Sequence, residues 1–369
     1  MKTMIVMPLA KQKGGGELML LNLLECGQGK GIEWFVVFLS NGPMVEQLNS
    51  LGIRTKVITS GRLSQINKFV TTVYQLSKIA HAEKIDLIFG WMWKAHLYSG
   101  PAAKLANIPS MWYQLENPRS SMLLKKIATL LPAKGIVTLS AAGQKAQKQI
   151  WPYRATHLVY PGVALERFTS DRLPSPSECK KKLGLPTDSP LIGIVGRLQR
   201  WKGMHVVVDA MPQIINKYPR AHCVIVGGQH ELEADYLDFL KDKISTLGIE
   251  NKVTLAGLQK NVPEWMQAMD IIVHASQHEP FGIVIIEAMA LAKPVVASNS
   301  GGPTEILTDG KNGLLCPCGD SNTLATKILS YLDCPEWAEK IGEAAKKRAE
   351  HFSTNSYAQN FVDLLLNLK

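Results

Sequence analysis

The amino-acid sequence predicts an α/β protein with two doubly wound domains, each built around a parallel sheet. The chain has 369 residues, about twice the length of a typical domain. Short β-branched runs alternate with amphipathic helical stretches from one end to the other. This alternation lapses once, in a proline-rich stretch, and then begins again. Two successive α/β domains joined by a linker explain all three observations.

The first half of the chain contains six predicted strands, each followed by a connecting segment. The strands are predicted at residues 4–7, 34–39, 55–58, 87–89, 110–113 and 135–139. Helices are predicted near 17–28, 64–82, 94–106, 122–131 and 141–150. Because strand and helix alternate, right-handed crossovers should place these strands side by side in one parallel sheet.

A proline-rich stretch separates the two halves, and the alternation resumes after it. Prolines recur between 174 and 190, where they oppose a regular helix or a central strand. The second set of strands is predicted at 191–195, 221–226, 253–255, 271–274, 295–297 and 313–315, with closing helices near 320–332, 336–350 and 354–368. We therefore expect a first domain at 1–165, a linker at 166–190, a second domain at 191–350, and a C-terminal helix at 351–369 that packs back toward the first domain.

The net charge of +10 is concentrated in the first half of the chain. Residues 1–170 contain 20 Lys and Arg against 8 Asp and Glu, whereas residues 171–369 contain 21 against 23. Such a basic half is typical of proteins that bind nucleic acid, an anionic membrane or an anionic substrate, and it is also compatible with a solvated surface. We expect no nucleic-acid partner, because no zinc finger, RRM-type motif or long basic helix is present.

The cysteines and the apolar segments favour a cytoplasmic protein. The first residues read as a buried strand and lack the apolar core of a signal peptide. No apolar stretch approaches the about 18–20 residues needed to span a bilayer. Six cysteines are scattered along the chain, and the pair Cys316 and Cys318 lacks CxxC spacing and a second pair, so we expect structural thiols and no metal site.

The loop after the predicted strand 191–195 has the sequence GRLQRWKG over residues 196–203. Gly196 leaves the backbone free at the end of the strand, and Arg197 and Lys202 place two cations at the start of a helix. The planar guanidinium of Arg197, the compact ammonium of Lys202 and the helix N-terminus together suit the binding of a diphosphate. Charged surface residues around a turn are the alternative interpretation.

The segment SQHEPFGIVIIEAMA, residues 276–290, places two carboxylates eight positions apart. Glu279 precedes a predicted helix, and Glu287 lies about one turn inside it among apolar neighbours, where a carboxylate needs a partner. The backbone N–H groups of Phe281, Gly282 and Ile283 form a helix start that favours anions. The alternative is an amphipathic helix with two incidental glutamates.

This segment resembles the Glu-x7-Glu motif of the retaining glycosyltransferases of family GT4. The resemblance extends through residues 261–270, 293–297, 301–306 and 310–315, and through the join at 159–168. It implies the GT-B fold, in which two Rossmann-like doubly wound parallel-sheet domains face a central cleft. The first domain would bind the acceptor and the second would bind a nucleotide sugar.

The resemblance also assigns roles in donor binding within the second domain. Arg197 and Lys202 would neutralise the departing diphosphate, Glu279 would bind the transferred sugar, and Glu287 would hold the ribose. The amides of 281–283 would contact sugar and phosphate. Gly227 and Leu258 would flank the base.

Two loops of the first half resemble parts of the family's acceptor domain. In the first, Gly15 and Gly16 belong to a turn similar to the family's Gly-Gly-x-Glu turn, which lets the backbone approach the donor phosphate and acceptor. In the second, Trp91, Trp93, Lys94 and His96 follow the strand at 87–89 and are predicted to bind the acceptor, the tryptophans by stacking on a sugar ring. One or both tryptophans could instead belong to the core.

Glu116 occupies a position where many family members have a histidine near the reacting carbon. A carboxylate there could bind a hydroxyl of donor or acceptor, or stabilise developing positive charge at the anomeric carbon. We include Glu116 with Arg197, Lys202 and Glu279 as a predicted catalytic residue. His96 is the alternative candidate.

The resemblance thus implies a retaining hexosyltransferase that uses a UDP-sugar, expected to be UDP-glucose, and we expect no cofactor and no metal. The acceptor is expected to be a polysaccharide or lipid-linked glycan. A nucleotide-sugar hydrolase or 2-epimerase on the same fold and a non-catalytic nucleotide-sugar-binding protein are the alternatives. Peripheral association with an anionic membrane is also expected, through the cations Lys11, Lys13, Lys94, Arg119, Lys125 and Lys126 and the apolar residues 122–124.

Overall fold

The computed structural model describes residues 1–11, 14–61, 63–116 and 123–368, with side chains described for all of these except 123–125. The chain divides into two compact units. Unit 1 comprises Met1–Gly162 and Thr354–Lys369, and unit 2 comprises Val163–Ser353. Each unit contains one parallel β-sheet with helices packed against it, so the α/β class predicted from the sequence is confirmed.

The sheet of unit 1 has seven strands in the order β3-β2-β1-β4-β5-β6-β7. Its strands are β1 (Lys2–Met7), β2 (Glu33–Phe38), β3 (Arg54–Val57), β4 (Leu87–Trp91), β5 (Ser110–Gln114), β6 (Gly135–Thr138) and β7 (Thr156–Leu158). The six predicted strands are all present. Strand β7 was not predicted, because three half-buried residues at a sheet edge show no apolar run.

The helices of unit 1 connect these strands in chain order. They are α1 (Gly15–Cys26), α2 (Met44–Ser50), α3 (Ile66–Ala82), α4 (Trp93–Ala106), α5 (Leu123–Leu130) and α6 (Ala141–Lys148). The connections from β1 to β2 and from β2 to β3 run toward the β3 edge of the sheet. The later connections, from β3 onward, run toward the β7 edge. With right-handed crossovers, α1 and α2 therefore lie on one face of the sheet and α3–α6 lie on the opposite face.

Aromatic side chains form the centre of unit 1. The ring of Phe361 lies 5.2 Å from Phe89, 5.9 Å from Trp91 and 5.7 Å from Tyr113, and all four side chains are buried. Phe361 belongs to the last helix of the chain (Thr354–Leu366), which also packs against α1. Its residues are therefore part of the core of unit 1.

The sheet of unit 2 has six strands in the order β10-β9-β8-β11-β12-β13. They are β8 (Leu191–Val195), β9 (His222–Val226), β10 (Val253–Gly257), β11 (Ile271–His274), β12 (Val295–Ser298) and β13 (Leu314–Cys316). The connecting and flanking helices are α7 (Pro176–Lys182), α8 (Met204–Lys217), α9 (Tyr236–Thr246), α10 (Val262–Ala268), α11 (Ile283–Ala290), α12 (Pro303–Ile306), α13 (Ser321–Asp333) and α14 (Pro335–Ala349), and the last helix of unit 1 follows as α15.

The stretch predicted as a linker contains a helix. Pro176 is the first residue of α7, where a proline costs no helical hydrogen bond. The side chain of Ser175 accepts from the backbone N–H of Glu178, whose carboxylate accepts in return from the backbone N–H of Ser175. This capping box begins the helix, and α7 packs against α10 in unit 2. The prediction that prolines exclude a helix here was therefore wrong.

Within the described ranges, no helix combines the length and the apolar character that a bilayer span requires.

Candidate functional site

The predicted donor loops follow the two central strands of the unit 2 sheet. Strands β8 and β11 are neighbours, and the strand order reverses between them. In open parallel sheets, ligands bind at the carboxyl ends of the strands at such a reversal point. The loop 196–203 follows β8 and the loop 275–282 follows β11. These two loops define the candidate site.

Glycines allow the loop after β8 to pass close to other backbone segments. A Cβ on Gly227 would lie 1.7 Å from the carbonyl oxygen of Gly196, so no side chain fits there. Gly203 has φ of +75°, and a Cβ on it would lie 2.2 Å from the carbonyl oxygen of Ala275. The loops after β8, β9 and β11 therefore approach one another closely only because these positions are glycine.

Lys202 and Glu279 form a short ion pair that connects the two loops. The Nζ atom of Lys202 lies 2.6 Å from Oε2 of Glu279, and both side chains are largely buried. Nζ also lies 4.2 Å from the ring centroid of Trp201, whose carbonyl accepts a hydrogen bond of 2.8 Å from the N–H of Gln277. The two sequence-predicted charges are thus brought together, with a backbone hydrogen bond beside them.

His274 is a member of this cluster that sequence reasoning missed. It is the last residue of β11, its side chain is buried, and its Nε2 lies 3.0 Å from the same Oε2 of Glu279. The hydroxyl of Ser276 lies 3.3 Å from that nitrogen. A polar residue at the carboxyl end of an otherwise apolar strand was the available signal, and it stands five positions before Glu279.

The cluster stabilises the ionised form of Glu279. Burial opposes ionisation of this carboxyl group, but the hydrogen bond with His274 and the positive charge of Lys202 outweigh it and hold the pKa of Glu279 well below its usual range. The hydrogen bonds from Lys202 and with His274 both reach Oε2 of this carboxylate. An ionised carboxylate held through one oxygen can accept hydrogen bonds from a ligand's hydroxyl groups through the other.

Glu287 lies on α11 in very different surroundings. The helix begins after Gly282, whose φ of +114° only glycine adopts readily, and its first N–H groups lack a side-chain cap. Burial raises the pKa of Glu287 to about 7, against an opposing effect from the charge of Arg167. Glu279 and Glu287, eight positions apart in the chain, therefore have widely different proton affinities.

The other donor residues predicted from the sequence occupy varied positions. Arg197 is exposed, and Leu258 is 83% exposed with its Cβ close to Gly228. The side chain of Phe281 is buried and packs on Phe352 at 5.6 Å, which leaves only its backbone for a ligand. Their proposed contacts with a nucleotide sugar stay predictions.

In unit 1, Gly16 lies where the loop after β1 meets the loop after β4. A Cβ on Gly16 would lie 2.8 Å from the side chains of both Met92 and Leu115. The carbonyl oxygen of Gly16 accepts a hydrogen bond of 2.9 Å from the indole nitrogen of Trp91. The start of α1, including Gly15, is thereby anchored to the end of β4.

Two predicted acceptor-binding residues are buried in the core of unit 1. Trp91 is fully buried and packs on Tyr113 at 5.2 Å, and His96 is fully buried and stacks on Trp112 at 5.4 Å. Burial lowers the pKa of His96 to about 3, so this imidazole is neutral at physiological pH. The prediction that Trp91 and His96 contact an acceptor was therefore wrong, and both are packing residues.

The remaining acceptor candidates differ in exposure. Trp93 is half-buried, Lys94 and Glu116 are exposed, and the ammonium of Lys94 lies 5.6 Å from the ring of Trp93. Their predicted contacts with an acceptor stay predictions. Lys13, Arg119 and Met122, which contributed to the predicted membrane surface, lie outside the described residues.

In the part of the chain that the structure describes, no cluster of three or more His, Cys, Asp or Glu side chains is arranged to hold a metal ion. All six cysteines are free thiols.

Comparison with known proteins relates this chain to glycosyltransferases. Residues 177–348 match the family described as Glycosyl transferases group 1. A D-inositol 3-phosphate glycosyltransferase of Corynebacterium urealyticum is 32% identical over 217 residues, which cover 57% of this chain and 51% of that relative. Spore coat protein SA of Bacillus subtilis is 30% identical over 220 residues, which cover 57% of this chain and 58% of that protein. The chain spans about half the length of the curated relatives it matches.

The structural similarity covers the chain from end to end. The crystal structure of Anabaena HepE in complex with UDP and glucose has a TM-score of 0.86 and 28% sequence identity, and the match covers 99% of both chains.

The buried pair predicts strong energetic coupling between Lys202 and Glu279. We expect a double-mutant cycle with Lys202→Met and Glu279→Gln to show a coupling energy of about 2–3 kcal/mol in urea unfolding, because either single change leaves a largely buried charge without its partner. The exposed pair Lys217 and Asp333 provides the matched control, with an expected coupling of about 0–1 kcal/mol. Equal coupling energies in the two cycles would contradict this assignment.

Proposed function

Residues 177–348 belong to the glycosyl transferases group 1, within a chain that has the GT-B fold, and on this premise we propose that the protein transfers a hexose from a UDP-sugar to an acceptor. One observation carries the proposal. Lys202, Glu279 and His274 lie together at the carboxyl ends of the two central strands of unit 2, inside the matched segment, and Glu287 lies on the helix that follows Glu279. Glucose is the proposed sugar, since UDP and glucose are bound in HepE.

The paired charges of the site suit the two ends of a nucleotide sugar. In this proposal, Lys202 leaves Glu279 and pairs with the diphosphate of the donor. The carboxylate of Glu279 then accepts hydrogen bonds from the sugar hydroxyls. Arg197, which is exposed in the same loop as Lys202, adds a second cation for the diphosphate. His274 keeps Glu279 oriented when its lysine partner moves away. Glu287 accepts the ribose hydroxyls in its ionised form.

The proposed chemistry is transfer with retention, as the resemblance to family GT4 implies. The bond between the anomeric carbon and the phosphate oxygen breaks, and the acceptor oxygen bonds to the same face of that carbon. The departing phosphate oxygen takes the acceptor's proton. Arg197 and Lys202 stabilise the charge that develops on this phosphate, a role that a metal ion would otherwise fill, so we propose metal-independent transfer. Glu116 is proposed to act on a hydroxyl near the reacting carbon.

The acceptor in this proposal is a polysaccharide or lipid-linked glycan. The relative named for D-inositol 3-phosphate favours a second candidate, a small phosphorylated polyol. Such an acceptor would also suit the basic first half of the chain. A hydrolase or 2-epimerase would use the same donor site without any acceptor.

A panel of nucleotide sugars tests the proposed function directly. We expect UDP-glucose to raise the melting temperature more than GDP-sugars do, and to release UDP slowly, with faster release when inositol phosphate or a glycan acceptor is added. EDTA should leave these rates unchanged. A rate that falls with EDTA and returns with Mn²⁺ would overturn metal independence. The absence of protection by every nucleotide sugar would overturn the function itself.

Arg197 should matter for turnover and not for folding. Because removal of one preorganised charge donor lowers turnover by about 10²–10³-fold, we expect that loss for Arg197→Ala at saturating UDP-glucose, with an unchanged melting temperature. Arg220→Ala, another exposed arginine of unit 2, is the control and should keep full turnover. Normal turnover in the Arg197 variant would remove this residue from the site.

The raised pKa of Glu287 predicts that the affinity for the donor rises with pH. The carboxyl group has a pKa of about 7 in the free protein, and only its ionised form accepts both ribose hydroxyls. Affinity for UDP-glucose, whose phosphates do not titrate near neutrality, should therefore increase by about tenfold from pH 6 to pH 8. Glu287→Gln should bind more weakly at pH 8 and show a flat profile in calorimetry. A pH dependence that persists in this variant would assign it to another group.

A further inference from the structure

The charges of unit 1 are sorted between the two faces of its sheet. Helices α3–α6, which lie on one face, contain no aspartate or glutamate at all. They carry the eight lysines Lys68, Lys78, Lys94, Lys104, Lys125, Lys126, Lys145 and Lys148. Helices α1 and α2, on the opposite face, carry Glu17, Glu25 and Glu46 and no lysine or arginine. The basic excess of the first half is therefore concentrated on one side of the unit.

The lysine-bearing helices form one continuous layer. Helix α3 packs against α4, and α4 packs against α5. The guanidinium of Arg154, after α6, donates to the carbonyl oxygens of Leu130 and Leu131 at the end of α5, at 3.2 and 3.3 Å. This arginine ties segment 151–154 to that layer. We call the surface formed by α3–α6 and segment 151–154 the basic face.

Large apolar side chains are exposed among the lysines of the basic face. Ile66, Val70 and Tyr74 follow one another at intervals of four along α3 and are 72%, 58% and 51% exposed. Trp151 and Tyr153, beside the end of α5, are 78% and 67% exposed. Residues four apart in a helix lie on the same side, so α3 presents an apolar stripe outward. Lys78 lies over the ring of Tyr74 at 4.7 Å and so shares this surface.

We propose that the basic face of unit 1 docks on a bilayer that contains anionic lipid. The lysines would meet the lipid phosphates, and the exposed aliphatic, tryptophan and tyrosine side chains would enter the headgroup region, where such rings are favoured. The acidic residue directly after α3, Glu83, is already paired with Lys2 and Arg54 and so leaves the face positive.

A bilayer fits this surface better than a soluble polyanion does. A polyanion would neutralise the lysines but would leave Ile66, Val70 and Trp151 in water, whereas a headgroup layer covers both kinds of side chain. The inference rests on the proposed function only for its consequence, which is access to a lipid-linked acceptor. Docking itself needs neither donor nor turnover, so it is measured separately.

Co-sedimentation of the full chain with vesicles tests the proposal. We expect binding to phosphatidylcholine vesicles that contain phosphatidylglycerol, little binding to pure phosphatidylcholine, and loss of binding at high salt, where charges are screened. Neutralising Lys68, Lys104, Lys145 and Lys148 to glutamine should lower the partition coefficient by about 600-fold, because each cation near an anionic leaflet adds about fivefold.

The control removes the same number of charges from unit 2. Lys181, Lys311, Lys340 and Lys347 are exposed lysines there, and their change to glutamine should leave vesicle binding within about twofold. Equal losses in the two quadruple variants would show that net charge alone acts, which would overturn the docking face.

The apolar contribution is tested by Ile66→Ser with Trp151→Ser, against Leu232→Ser, an exposed leucine of unit 2. We expect only the first variant to weaken vesicle binding, and to do so at every salt concentration. Unchanged binding in that variant, or binding of the wild type to soluble heparin but not to vesicles, would overturn the bilayer as partner. Melting curves with UDP-glucose distinguish loss of vesicle binding from loss of donor binding. A variant that no longer binds vesicles but is still stabilised by UDP-glucose leaves the proposed function intact.

Discussion

The ion pair between Lys202 and Glu279 sets the arrangement of the candidate site. It joins the loops after the two central strands of unit 2, and His274 holds the same carboxylate oxygen from the strand below. A largely buried pair of this kind is costly to form unless every charge is matched. The close approach of these loops in turn requires glycine at 203, and the approach of the loop after β9 to the loop after β8 requires glycine at 227, because a side chain at either position would overlap a neighbouring carbonyl group. Backbone geometry and charge matching therefore support each other.

In the proposed function, this arrangement keeps the site stable without a ligand and lets it accept a nucleotide sugar. Without a ligand, Lys202 and Glu279 neutralise each other. A bound diphosphate would replace Glu279 as the partner of Lys202, and sugar hydroxyls would replace Lys202 as the partner of Glu279. Glu279 is kept ionised by its partners, whereas Glu287 sits among apolar neighbours with a pKa of about 7. Two carboxyl groups within one loop and helix thus differ in charge because their surroundings differ, which is typical of functional sites.

The sequence predicted the strands well because they are short, apolar and bounded by loops, as buried parallel strands are. It also singled out Lys202 and Glu279, which the structure brings together, because charged residues at the ends of such strands have few structural reasons to be there. It could not place Trp91 and His96 in the core, since the burial of Trp91 depends on packing with Phe361, some 270 positions away, and that of His96 on stacking with Trp112. His274 was missed for a related reason. Its contact with Glu279 forms only because the loop after β11 folds back on the strand.

Amide hydrogen exchange with and without UDP-glucose tests most directly whether this cluster is the donor site. The account predicts slower exchange in residues 196–203 and 279–287 when the donor is bound, with unchanged exchange in α13 and α14. Slower exchange in both loops would place the nucleotide sugar at the Lys202–Glu279 pair. Saturating donor that leaves both loops unchanged, or that slows exchange only in segments outside them, would contradict it.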